Sequence, residues 1–149
     1  MVLDFESSFT VPTITAKELI KLRSSNKQYL IVDVRESYER KVSIIPEAIS
    51  KHSFETNKEK HKNKKIISYC TIGVRSGYYT KELRNQGFNA WNLRGSILMW
   101  LHENEKLTTP EGQNTKKVHL YGKPWDLAPT KNESTTATPW WIRFLRWFH

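Results

Sequence analysis

The residues with the clearest chemical potential are one cysteine and one arginine in the segment YCTIGVRSG, residues 69–77. Cys70 follows a short apolar segment. After Cys70 come a glycine-containing turn and then a helix-forming sequence. In such a turn successive backbone N–H groups can converge on the sulfur, and the helix N-terminus adds about half a positive charge. Both effects favour the thiolate, the nucleophilic form of cysteine. The pattern predicts a reactive thiol at Cys70, with Gly73 supplying a backbone conformation that side chains disfavour.

The elements around this segment alternate between strands and helices. Short apolar segments rich in β-branched residues are typical of strands covered on both faces, and they occur at residues 29–33, 65–69 and 89–93. Helices with apolar faces and end signals are predicted at residues 16–23, 76–86 and 96–103. The alternation predicts an α/β fold, in which helices pack on both faces of a mostly parallel central sheet.

Composition limits the classes of protein that fit this chain. Its 149 residues correspond to one domain with an extension, and a hydrophobic content of 38% excludes wholesale disorder. The single cysteine cannot form an internal disulfide, no Cys and His set has zinc-ligand spacing, and no segment approaches the roughly 20 apolar residues of a membrane span. The N-terminus does not match a secretory or transit signal. We expect a cytoplasmic protein without a metal site.

The net charge of +9 is unevenly distributed, because residues 51–65 hold six Lys against two Glu. Such a segment is typical of a solvated loop or exposed helix, and apart from Phe54 it has no Phe, Tyr or Trp side chain on which bases could stack. We therefore expect no nucleic-acid partner.

Several segments together resemble the single-domain rhodanese family of sulfurtransferases. The resemblance covers residues 9–107 and rests on ITAKEL, LIVDVRESYE, IPEA, YCTIGVRSGYYTKELRNQGF and AWNLRGSILMW. It implies a rhodanese-like fold in which Cys70 is catalytic and carries sulfane sulfur as a persulfide. The implied donor is thiosulfate, polysulfide or a persulfide, and the implied acceptor is a thiol, including a protein thiol, or another nucleophile. It implies no metal or organic cofactor. The residues it assigns are an active-site and substrate-binding loop of Thr71, Ile72, Gly73, Val74 and Arg75, and a structural acid and base near the site, Asp33 and Arg35.

Alternatives remain for the site and for the activity. Cys70 could be an inert buried thiol, and Arg75 could recognise an anionic donor or form an ion pair on its helix. A cysteine phosphatase is the rival enzyme, but its loop needs five residues between cysteine and arginine, and this chain has four. A scaffold or binding module without turnover is the rival outside enzymes, although such a module usually lacks the cysteine.

The C-terminal part of the chain divides into three segments. Residues 108–129 form an extension with aromatic anchors that we expect to wrap the domain. Residues 130–139 contain no large apolar side chain and predict a flexible linker. Residues 140–149, WWIRFLRWFH, form an amphipathic aromatic tail that either docks on protein or contacts a membrane surface peripherally.

Overall fold

A computed structural model describes residues 11–25 and 27–120, together with the backbone of residues 133–135. The elements in chain order are β1 Thr13–Ile14, α1 Ala16–Arg23, β2 Tyr29–Asp33, α2 Ser37–Arg40, β3 Ile49–Ser50, α3 Lys51–Asn57, a 3-10 helix Lys58–His61, β4 Lys65–Tyr69, α4 Val74–Asn85, β5 Ala90–Leu93, α5 Ser96–His102, β6 Leu107–Thr108, β7 Asn114–Thr115, β8 Lys117–His119 and β9 Glu133–Thr135.

The central sheet is entirely parallel and has five strands in the order β1, β5, β4, β2, β3. The pairing of β2 with β4 is in register from Tyr29 opposite Lys65 to Asp33 opposite Tyr69. Because parallel strands end at the same edge, the residues that follow β2 and β4 are neighbours. This places the segments after Asp33 and Tyr69 side by side.

Helices cover both faces of the sheet, as the sequence predicts. Successive strand side chains point to opposite faces, so Ile31 packs in one cluster and Val32 in the other. The first cluster also contains apolar residues of α1 and α5, and the second contains Phe54 of α3 and Leu83 of α4. The α/β fold with a parallel sheet between helical layers is confirmed.

Local signals explain several element boundaries. In α1 the side chain of Thr15 accepts a hydrogen bond from the Glu18 amide, and the Glu18 carboxylate accepts one from the Thr15 amide. This reciprocal capping box fixes the start of the helix at Ala16. The helix predicted at residues 76–86 begins earlier, at Val74, because Gly73 occupies the N-cap position with a φ of 108°.

The basic segment at residues 51–65 is largely helical, comprising α3 and the 3-10 helix. Several of its lysines lie over aromatic rings of neighbouring elements, with Lys51 Nζ 4.5 Å from the Tyr79 ring centroid and Lys65 Nζ 4.0 Å from that of Trp91. The segment is thus attached to the domain through lysine side chains as well as through buried Phe54.

The described part of the extension lies against the domain. Val118 and Leu120 are buried in the cluster that holds α1 and α5, and His119 packs edge-on to the Tyr38 ring at 5.4 Å. Strand β8 pairs in parallel with β9, so residues 133–135 form a strand within the segment for which we predict a flexible linker. Three backbone residues can pair this way without large apolar side chains. The rest of the linker and the aromatic tail at residues 140–149 lie outside the described residues.

None of the described helices is long and apolar enough to cross a membrane.

Candidate active site

Cys70 lies directly beyond the carboxyl end of β4, and its loop is held by α5 as well as by α4. The amides of Ile97 and Leu98 donate to the carbonyl oxygens of Cys70 and Thr71, at 3.3 and 3.4 Å. These first-turn amides have no partner within their own helix. The N-terminus of α5 therefore fixes the loop backbone.

The sulfur of Cys70 is buried and contacts three polar groups. The Gly73 amide donates to Sγ at 3.1 Å, the Ser76 hydroxyl lies 3.4 Å from it, and the Ser96 hydroxyl lies 3.9 Å from it. Only 1% of Cys70 is exposed, which an inert core thiol would also show. The polar contacts distinguish it, because an apolar core offers no hydrogen bonds to a thiolate.

Burial alone would raise the pKa of the Cys70 thiol, but the opposing influences are larger. The charge of Arg75, the hydroxyl and amide of Ser76 and the amide of Gly73 all stabilise the thiolate, and the net result is a lowered pKa. The direction is that required of a nucleophilic cysteine. Of the predicted loop residues, Gly73 and Arg75 thus act on the sulfur, while Thr71 accepts a hydrogen bond from Arg75.

A polar network beneath the loop was not predicted from the sequence. Asn92 of β5 accepts from the Ser76 hydroxyl at 2.6 Å and donates to the Gly73 carbonyl at 3.0 Å. A hydroxyl has one proton, so Ser76 donates either to Asn92 or to the sulfur, and a negative charge on Cys70 competes for that proton. An asparagine in the apolar strand AWNL was the signal that could have revealed this network.

Ser96 supports the loop from the opposite side. Its hydroxyl oxygen accepts from the Cys70 amide at 3.1 Å, and the hydroxyl lies 3.2 Å from the Leu93 carbonyl. Its φ of 49° falls in the left-handed region, which is uncommon for residues other than glycine. The serine therefore holds a strained backbone position directly beside the candidate nucleophile.

Asp33 and Arg35 form a buried pair at the end of β2. Arg35 donates through Nε and Nη2 to the two carboxylate oxygens of Asp33, at 3.0 and 2.7 Å, and through Nη2 to the Ser43 carbonyl at 2.7 Å. The Tyr69 hydroxyl donates to Asp33 at 2.6 Å and accepts from the Ile45 amide. These contacts tie β2, β4 and the segment at residues 43–45 together beneath the site.

Arg75 is engaged by a carboxylate that the sequence did not single out. Its Nη1 and Nη2 donate to the two oxygens of Glu39, at 2.8 and 2.9 Å. The Glu39 side chain is 0% exposed and that of Arg75 is 29% exposed. Burial would raise the pKa of Glu39, but the hydrogen bonds and charge of Arg75, with the charge of Arg35, lower it to about 2. Glu39 is therefore an anion at neutral pH.

The predicted site residues are thus gathered at the carboxyl edge of the sheet. Ile72 and Val74 are half-buried loop residues and have no described hydrogen bond to the sulfur. In the part of the chain that the structure describes, no group of three or more His, Cys, Asp or Glu side chains could hold a metal ion. The arrangement can hold a thiolate, and the loop amides and hydroxyls can support an additional small polarisable atom bonded to it.

Comparison with known proteins identifies the family. The rhodanese-like domain family matches residues 15–103, and these residues contain four of the five strands of the central sheet, the loop and α5. With this match over more than half of its length, the chain belongs to the rhodanese-like domain family.

Individual relatives support this assignment. The tRNA uridine(34) hydroxylase of Acinetobacter baylyi is 35% identical over 89 residues, covering 53% of this chain and 28% of the relative. A rhodanese-related protein from Thermoplasma volcanium superposes with a TM-score of 0.55 at 27% identity, covering 65% of this chain and 97% of that protein. The thiosulfate sulfurtransferase of Pseudomonas aeruginosa shares the fold with a TM-score of 0.62 at 23% identity, covering 75% of this chain and 22% of that protein. The curated relatives are much longer than the matched segment, which spans less than a third of their length.

Proposed function

We propose that this protein is a rhodanese-type sulfurtransferase that carries sulfane sulfur on Cys70. The observation that carries the proposal is the surroundings of the Cys70 sulfur. The sulfur accepts a hydrogen bond from the Gly73 amide at 3.1 Å and lies 3.4 Å from the Ser76 hydroxyl. The lowered pKa of this thiol supports the same role. Membership of the rhodanese-like domain family supports this reaction class.

The reaction has two displacement steps. In the first, the Cys70 thiolate attacks the outer sulfur of a donor, the donor's S–S bond breaks, and a new S–S bond forms on Cys70. The electron pair of the broken bond leaves with sulfite when the donor is thiosulfate, or with a thiolate when the donor is a persulfide. In the second, an acceptor thiolate or cyanide attacks the outer sulfur of the Cys70 persulfide and regenerates the Cys70 thiolate. No external oxidant or reductant is consumed.

The burial of Cys70 restricts how a donor reaches it. With 1% of the residue exposed, a donor has to present a terminal sulfur atom rather than a bulky group. Thiosulfate, small persulfides and the terminal sulfur of a protein persulfide all satisfy this condition.

The test is the transfer of sulfur by wild-type protein and by Cys70→Ser. Wild-type protein incubated with a donor should gain the mass of one sulfur atom and release it to cyanide as thiocyanate. Cys70→Ser should do neither while retaining the wild-type circular dichroism spectrum. Turnover that persists in the folded variant would refute the role of Cys70, and absence of loading in the wild type would favour a scaffold without turnover.

The same two proteins test the phosphatase alternative. With four residues between Cys70 and Arg75, we expect no hydrolysis of an aryl phosphate above background. Hydrolysis that is lost in Cys70→Ser would replace the sulfurtransferase proposal by the phosphatase.

A further inference from the structure

The ion pair between Glu39 and Arg75 lies next to the nucleophile and ties its loop to a different part of the chain. Arg75 is in the first turn of α4, and Glu39 is in α2, 36 positions earlier. Both terminal nitrogens of Arg75 donate to Glu39, and Nη2 also lies 3.2 Å from the Thr71 hydroxyl oxygen. The guanidinium that would face an anionic donor is thus already bound to an internal anion.

Two described ion pairs at the loop each join an acid to a base. Asp33 pairs with Arg35 at 2.7 Å, and Glu39 pairs with Arg75 at 2.8 Å. The loop residues 71–74 carry no charge, and the described contacts of the Cys70 sulfur come from an amide and two hydroxyls. Among these described contacts, the cation nearest the sulfur is Arg75, and its charge is offset by Glu39.

We infer that Glu39 determines donor specificity: it offsets the charge of Arg75 and occupies the N–H donors that would recognise a dianionic donor, and so favours an organic persulfide with an uncharged organic group over thiosulfate. This inference rests on the proposed sulfur transfer through Cys70. Arg75 then acts on the thiolate of Cys70 and on the shape of the loop, and Glu39 is a positioning residue that acts through Arg75.

The two donors differ in the charge that the site must accept. With thiosulfate, the Cys70 thiolate takes the outer sulfur, the S–S bond breaks, and sulfite leaves as a dianion. With a protonated organic persulfide, the thiolate takes the outer sulfur as SH, and one thiolate leaves with the electron pair of the broken bond. An uncompensated Arg75 would favour the first reaction, because a hydrogen bond to a charged group contributes about 1.5 to 3 kcal/mol.

The experiment compares second-order rate constants for loading Cys70 with thiosulfate and with 2-hydroxyethyl persulfide. Each constant is divided by that of the same donor with free cysteine, and the thiosulfate-to-persulfide ratio is then formed. Because both donors react with the same thiolate, the fraction of folded protein and the ionised fraction of Cys70 cancel from the ratio. In the wild type this normalised ratio should lie below one.

Glu39→Gln should raise the ratio about tenfold or more, the factor that corresponds to a charged hydrogen bond. Glu39→Asp is the matched control, because it disturbs the packing but keeps the negative charge, and its ratio should stay within about twofold of the wild type. The double variant Glu39→Gln with Arg75→Gln removes both charges, and its ratio should return towards the wild-type value.

A ratio that is unchanged or lower in Glu39→Gln would overturn the inference, as would an equal rise in Glu39→Asp. If neither Glu39 variant folds, the wild-type protein decides the question, since a normalised preference for thiosulfate also overturns it. Failure of the proposed function is a separate result, because then neither donor adds sulfur to Cys70 in the wild type.

Discussion

Glu39→Gln should reduce the acid sensitivity of folding. The hydrogen bonds and charge of Arg75 lower the pKa of Glu39 to about 2 from an ordinary value of 4.5. The difference of about 2.5 pH units corresponds to about 3 kcal/mol of folding stability at neutral pH, at about 1.4 kcal/mol per unit. Because the folded-state pKa is the lower one, this contribution is present above pH 4.5 and disappears as the pH falls towards 2. About 2 kcal/mol of it should be lost by pH 3.

The free energy of unfolding is measured by urea titration of the circular dichroism signal at pH 7, 5, 4 and 3. The wild-type value should fall more steeply than that of Glu39→Gln, so that the difference between the two proteins shrinks by about 2 kcal/mol between pH 7 and pH 3. Glu59→Gln, a change of equal charge at an exposed position, controls for the loss of one charge. If the wild-type and Glu39→Gln curves stay parallel over this range, the pair does not stabilise the fold in this way.

Three further outcomes are expected. The rate of Cys70 alkylation by iodoacetamide should have a pH midpoint below that of a cysteine peptide measured alongside, because the pKa of the Cys70 thiol is lowered. Ser76→Ala should move the midpoint upward. A wild-type midpoint at or above that of the peptide would contradict this expectation. Gly95→Ala should cost about 1 to 3 kcal/mol and lower the melting temperature more than Gly112→Ala. Both glycines have positive φ, but of the two only Gly95 would place an added Cβ against the Met99 side chain. Equal losses would show that this clash is relieved. If residues 140–149 are an interfacial anchor, the intact chain should bind anionic liposomes, and deletion of the tail should abolish that binding and leave sulfur transfer unchanged. A large drop in melting temperature on deletion, without any lipid binding by the intact chain, would place the tail on protein.

Secondary structure could be predicted from the sequence where the residues of a segment themselves formed a recognisable pattern. The strands Tyr29–Asp33 and Lys65–Tyr69 and the helix Ala16–Arg23 have the predicted boundaries, because apolar runs and a capping box are local features. The strands Thr13–Ile14 and Ile49–Ser50 could not be predicted, since two residues show no periodicity and pair only because the sheet presents an edge.

The predicted start of α4 is two residues too late. The sequence predicts a helix from Ser76, and the structure starts it at Val74. In the structure Ser76 lies inside the first turn, and its hydroxyl contacts Asn92 and Cys70 instead of capping the helix. Gly73 takes the N-cap position through its left-handed conformation, which brings the helix start closer to the sulfur.

The residues that complete the site could not be assigned from local sequence, because their partners are distant along the chain. Ser96 meets Cys70 across 26 positions, and Glu39 meets Arg75 across 36. From the loop alone, Arg75 fits both an anion-binding residue and a member of an ion pair. The fold provides Glu39 as the partner of Arg75, because α2 follows β2, α4 follows β4, and these two strands end side by side. The strand pairing that places Asp33 opposite Tyr69 therefore also brings the buried carboxylate of Glu39 to Arg75, beside the nucleophile. The electrostatics of the loop thus depends on the sheet topology as much as on the loop sequence.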